Sequence, residues 1–162
     1  LRVSMETIET TAVVLLIVAG ASIFGWIVTT TRITDEVAGL VLSITSERWA
    51  VLLLVNVFLL LVGCFLETVA AITILVPVLL PLMAAIGVDP VHFGLIMVLN
   101  LMIGLVTPPV GMVLYILSRV SGLTFEQTTR ACAPFLIPLF LCLALVTYWE
   151  GLVMWLPTLI YR

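Results

Sequence analysis

Residues 93–118 read FGLIMVLNLMIGLVTPPVGMVLYILS, a run without a charge that carries two adjacent prolines past its middle. A membrane helix needs roughly 20 apolar residues to cross a hydrocarbon core of about 30 Å, so this run is long enough to span. Pro108 and Pro109 both lack a backbone N–H and disfavour helical geometry just before them, which leaves carbonyls of the preceding turn without their partners. The break at Thr107-Pro108-Pro109-Val110-Gly111 therefore falls at membrane depth. Irregular backbone is tolerated there only inside protein or against a water-filled cavity. Freed carbonyls are hard oxygen ligands, and with the Thr107 hydroxyl they suit Na+ or another small cation, as in transporters with broken helices. The plainer alternative is a kink that only bends the helix, although one proline is enough for that.

The rest of the chain fits a membrane protein. Of its 162 residues 64% are hydrophobic and 9% charged, with a mean hydropathy of +1.39. An average soluble domain is about half apolar and about a quarter charged, so no soluble fold of this size could bury so much apolar surface. The net charge is -3 and the six basic residues are isolated arginines, which argues against nucleic acid and against an anionic-lipid docking patch. Cys64, Cys132 and Cys142 lie in apolar runs without a CxxC or a neighbouring His and read as packing residues. His92, alone at a membrane boundary, reads as a cap or hydrogen-bond donor rather than a metal ligand. No HExxH, GxSxG or phosphate loop is present, so the sequence offers nothing for an enzyme.

Working outward, residues 10–31 read as a spanning helix whose Gly20, Ser22 and Gly25 allow close helix approach. Residues 32–48 alternate polar and apolar positions at helical spacing and predict an amphipathic helix in the interface. Ser46 is the expected cap of the next helix and Trp49 its interfacial anchor. Trp49 to Leu66 and Thr68 to Val88 are two apolar arms separated by Glu67 alone. Two full spans need a turn in water, whereas a re-entrant hairpin over 49–88 can place its tip inside the protein. Both return the chain to the side it came from, so segment counting leaves the choice open. Pro77, Pro81, Gly87 and Asp89-Pro90 close the second arm, and 91–118 is the broken helix. Arg119 to Arg130 reads as a polar connection in which Thr124, Glu126 and Gln127 favour a short helix start, and residues 131–156 as a last span ending in Trp149 and Trp155. The arginines divide between alternate loops, so charge asymmetry does not orient the chain.

Two polar faces stand out. At 100° per residue Asn56, Gly63 and Glu67 lie within about 40° of one another, and Asn100, Gly104 and Thr107 within about 60°. Each set points toward the other or toward a cavity; otherwise the two Asn are interhelical glue worth about 0.6 kcal/mol on average. Glu67 is an acid between two apolar runs, and intramembrane acids are functional by default. The amides at the start of the second arm offer it partial compensation. A tight external turn in water is the alternative.

Gly63-Cys64-Phe65-Leu66-Glu67, Pro77, Pro81, Asp89-Pro90-Val91-His92-Phe93-Gly94, Asn100-Leu101, Ile103-Gly104 and Thr107-Pro108-Pro109-Val110-Gly111 together resemble the large permease subunit of tripartite ATP-independent periplasmic (TRAP) transporters, specifically its C-terminal half. The resemblance implies an all-α membrane protein of the bacterial inner membrane, one repeat of an inverted-repeat elevator-type transporter with a re-entrant hairpin and a discontinuous helix. It implies Na+-coupled import of an organic acid, such as a C4-dicarboxylate or sialic acid, handed over by a periplasmic binding protein, with a small membrane subunit completing the complex. Carried onto this sequence, the tip falls around Gly63 to Ala70, including Glu67 and Thr68, and the break at Thr107, Pro108, Pro109 and Gly111. Gly63, Thr107 and Gly111 become the Na+ candidates, with Asn56, Asn100 and Gly104 beside them. No cofactor beyond Na+ is implied. Such a permease is far longer than 162 residues, so the chain is expected to be a fragment unable to transport alone. A passive channel or proton pathway lined by Glu67, and a non-transporting scaffold, are the alternatives.

Overall fold

A computed structural model describes residues 2–31, 39, 45 and 47–160. The regular elements among them are helices: α1 (Arg2–Thr30), α2 (Arg48–Phe65), α3 (Thr68–Ala85), α4 (Pro90–Gly104), α5 (Met112–Ser121), α6 (Phe125–Tyr148) and α7 (Glu150–Ile160). By length and composition α2, α3 and α6 can each cross a bilayer. The expected amphipathic helix over 32–48 lies almost wholly outside the described residues.

Helical stripes build the core. Val51, Val55 and Leu59 of α2, Ala71, Leu75, Leu79 and Leu82 of α3, and Phe93, Ile96, Met97 and Leu101 of α4 recur every three or four positions and are buried together. Helix α4 sits at the centre, with α2, α3 and α6 packed on it and α1 beside α3. Asn56 meets Asn100, and Gly63 meets Gly104 further along both helices, so α2 and α4 run parallel. Helix α3 must therefore carry the chain back between them, which makes α2–α3 a helical hairpin in topology. Its arms pack on α4 far more than on each other.

The turns follow from local chemistry. After Ala85 the chain closes with Val88 N–H donating to the Met83 carbonyl at 2.9 Å and Gly87 at φ +73°, a left-handed closure that glycine adopts without strain. Asp89 caps α4 by accepting from Val91 N–H at 2.8 Å, and Pro90 takes the first turn, where no N–H is needed.

Several boundaries differ from the sequence reading. Helix α2 has Glu47 at its N-cap position without a side-chain cap bond, and the expected cap Ser46 lies outside the described residues. The polar connection over Arg119 to Arg130 is almost all helix: the start expected at Thr124, Glu126 and Gln127 is the Thr124–Gln127 capping box of α6, and Gly122 at φ +69° ends α5 just before it. Only Gly122, Leu123 and Thr124 connect them. The single span over 131–156 is two helices, divided at Trp149. That division frees the Val146 carbonyl, and His92 Nε2 donates to it at 2.8 Å. His92 thus supplies from α4 the bond that the backbone of a continuous helix would have made.

Candidate functional site

The hairpin tip and the double-proline break lie against each other. A Cβ on Gly104 would stand 2.6 Å from the Gly63 carbonyl carbon and 2.7 Å from its Cα, so α2 and α4 cross there in backbone contact. Two small residues facing each other permit that approach. At the next residue, Cys64 Sγ lies 3.7 Å from the Pro108 carbonyl, which brings the last turn of α2 to the break itself. Across the tip, the Thr68 hydroxyl reaches Met102 Sδ at 3.8 Å. Glu67 is the N-cap of α3, its carboxylate accepting from Ala70 N–H at 3.1 Å, and it is exposed.

The break is wider than the sequence suggested. Helix α4 stops at Gly104, and residues 105–111 are irregular, with the Pro108–Pro109 bond cis. Thr107 donates its hydroxyl to the Ile103 carbonyl at 2.7 Å, which leaves its oxygen lone pairs available. Gly111 turns the chain into α5 at φ +53°; a Cβ there would lie 3.0 Å from the Thr107 carbonyl oxygen and 3.2 Å from that of Leu105. Among the described residues no N–H donates to the carbonyls of Val106, Thr107, Pro109 or Val110, and the N–H groups of Val110, Gly111 and Met112 find no carbonyl. The segment thus presents the negative end of α4 and the positive end of α5 to one place.

Asn56 and Asn100 lie lower down and turn toward each other. Asn100 Nδ2 donates to Asn56 Oδ1 and to the Ile96 carbonyl, while Asn56 Nδ2 donates to the Leu52 carbonyl and, at 3.3 Å, to the Thr147 hydroxyl. Asn100 is fully buried, and its Oδ1 has no partner among the described residues. Both Asn therefore clamp α2, α4 and α6 together below the break. Thr147 was missed in the sequence. Its signal is that no other Ser or Thr occurs in residues 131–149, a span otherwise apolar enough to hide it. Cys64 and Met102, read as packing residues or not at all, meet the break and the tip.

The chain matches the family described as the tripartite ATP-independent periplasmic transporter, DctM component, over residues 1–152. It is 45% identical over 159 residues to the sialic acid TRAP transporter large permease protein SiaM of Vibrio cholerae, a match covering 98% of this chain and 37% of that protein. It is 46% identical over 143 residues to the isethionate TRAP transporter permease protein DctMQ of Oleidesulfovibrio alaskensis, covering 88% of this chain and 22% of that protein. With the C4-dicarboxylate TRAP transporter large permease protein DctM of Pseudomonas aeruginosa the identity is 39% over 156 residues, covering 96% and 36%. The chain thus spans little more than a third, or less, of the relatives it matches.

Proposed function

Because this chain belongs to the DctM component family of tripartite ATP-independent periplasmic transporters, we propose that it forms part of a Na+-coupled permease for small organic anions, with the ion and the substrate held where the hairpin tip meets the double-proline break. The observation that carries this reading is the junction itself: Gly63 against Gly104, and Cys64 against the Pro108 carbonyl. The unpaired carbonyls after α4, with Thr107, offer hard oxygens to Na+, and the open amides entering α5 offer donors to a carboxylate or sulfonate. The names of the relatives, sialic acid, isethionate and C4-dicarboxylate, share an anionic group and little else. A compact anion site with variable surroundings is consistent with all three.

The same geometry favours a re-entrant hairpin. Asn56 and Thr147 are bonded and so lie level. From that level the tip at Glu67 rises eleven residues, about 16 Å, whereas α6 continues twenty-two residues to Phe125, about 33 Å. If α6 spans the bilayer, the tip stops well inside it. We place the chain in the bacterial inner membrane, crossing it more than once, in a complex with a small membrane subunit and a periplasmic binding protein. The open half of the site would be completed by the remainder of the permease.

The test is uptake by the complete permease with its binding protein. Thr107→Ala is expected to raise the Na+ concentration for half-maximal uptake by about tenfold, the equivalent of one modest ligand bond, with assembly intact. An unaltered Na+ dependence removes Thr107 from the ion site. Uptake needing neither Na+ nor binding protein would return the channel reading.

A further inference from the structure

At the end of the bundle opposite the hairpin tip, Glu47, Arg48 and Trp49 at the start of α2 face Tyr148 and Glu150 at the α6–α7 junction across a cavity of about 310 Å³. Arg48 and Glu150 pair across it at 2.6 Å with both side chains roughly two-fifths exposed, and the Tyr148 hydroxyl donates to the Trp49 carbonyl at 3.3 Å. His92, 1% exposed, also lines it, and its Nδ1 has no partner among the described residues. Thr147 and Tyr148 are shared with a second cavity of about 160 Å³ between α2 and α6, whose walls include Leu53, Phe140 and Ala144. A chamber with charged groups in its walls thus lies beside an apolar groove, Thr147 and Tyr148 lining both.

That two-part chemistry belongs to an amphiphile, and Trp49 and Tyr148 are of the type that marks headgroup level in a bilayer. We propose that this site binds one phosphatidylethanolamine molecule, its headgroup among Glu47, Arg48 and Glu150 and one acyl chain in the groove between α2 and α6. The charge balance selects the headgroup. Two carboxylates face one guanidinium, so a net anionic lipid would meet surplus negative charge. A zwitterion sets its phosphate on Arg48 and its ammonium on Glu47. A primary ammonium has three N–H donors for those carboxylates, whereas a quaternary choline has none. The lipid would brace the foot of the hairpin against the α6–α7 junction, and the inference does not depend on which substrate the tip holds.

The experiment is native mass spectrometry of the full-length permease, stripped of lipid and offered equal amounts of phosphatidylethanolamine, phosphatidylglycerol and phosphatidylcholine. One phosphatidylethanolamine is expected to be retained about tenfold over the others, the difference one charge-assisted hydrogen bond makes. Glu47→Gln should erase that preference. Ala144→Phe, or Leu53→Trp if that variant does not fold, should fill the groove and cut retention by a similar factor while leaving the lipid-free melting temperature in place. Equal retention of the three lipids, no retention by the unaltered protein, or retention that the groove-filling variant leaves intact would each overturn the assignment.

Discussion

At Gly104 the atoms that a methyl group would meet are the backbone of Gly63 and, at 3.0 Å, the amide nitrogen of Cys64; none can rotate aside. Gly63 is less tight, with a Cβ 3.0 Å from the Leu101 Cα and carbonyl oxygen. Gly104→Ala must therefore push α2 off α4, at about 1–3 kcal/mol for an overpacked contact. The expected result in the complete permease is a lowered melting temperature and loss of uptake, because the tip and the break separate. Gly94→Ala, on the same helix with nothing within 4 Å of its Cβ, is the control and should behave as the unaltered protein. If Gly104→Ala matches that control in both assays, the close crossing has no part in transport. At this scale the sequence was informative because 100° arithmetic puts Asn56 with Gly63 and Asn100 with Gly104; the glycines face each other, and the Asn56–Asn100 bond is the interhelical contact kept there as the alternative. The sequence said nothing of Thr147, since the partner of a side chain on a distant helix leaves no local period.

Among the elements, the uncharged run with two prolines located the broken helix, yet not its width. Leu105 and Val106 are apolar and helix-compatible, and only the loss of donors at Pro108 and Pro109 and the left-handed Gly111 together make residues 105–111 irregular. The α5–α6 joint was half legible: Thr124, Glu126 and Gln127 marked the start of α6, whereas the stop of α5 at Gly122 was not read, and the turn between them is so short that both arginines stay on helices. If the broken segment is functional rather than incidental, restoring its donors should separate folding from transport. In Pro108→Ala/Pro109→Ala the two new N–H groups can re-pair carbonyls of the preceding turn, each otherwise costly in a membrane. The variant is expected to assemble with an unchanged or higher melting temperature and to lose Na+-dependent uptake. Normal uptake by a stably folded double variant would reduce the break to a bend.

For the whole molecule the deciding quantity is depth. Topology alone cannot distinguish a re-entrant hairpin from two full spans, because α2 and α4 run parallel in either case. The re-entrant reading proposed above rests on comparing helices that start level: Asn56 is bonded to Thr147, and α6 outruns the tip by about 16 Å at 1.5 Å per residue. In a variant with Cys64, Cys132 and Cys142 replaced by serine, Thr124→Cys at the far end of α6 should react with a bulky, membrane-impermeant polyethylene-glycol maleimide. Thr68→Cys at the tip should react with a small methanethiosulfonate and resist the bulky reagent, since a tip enclosed by protein admits only what the substrate path admits. Na+ should slow the small reagent if the ion orders the junction beneath it. Two full spans make a different demand: Thr68 would then sit in bulk water and take the large reagent as fast as Thr124→Cys, with no sensitivity to Na+. That outcome would also move Glu67 into water and leave its carboxylate as no more than the cap of α3. The depth of one loop therefore decides whether the acid at the tip belongs to a transport site or only starts a helix.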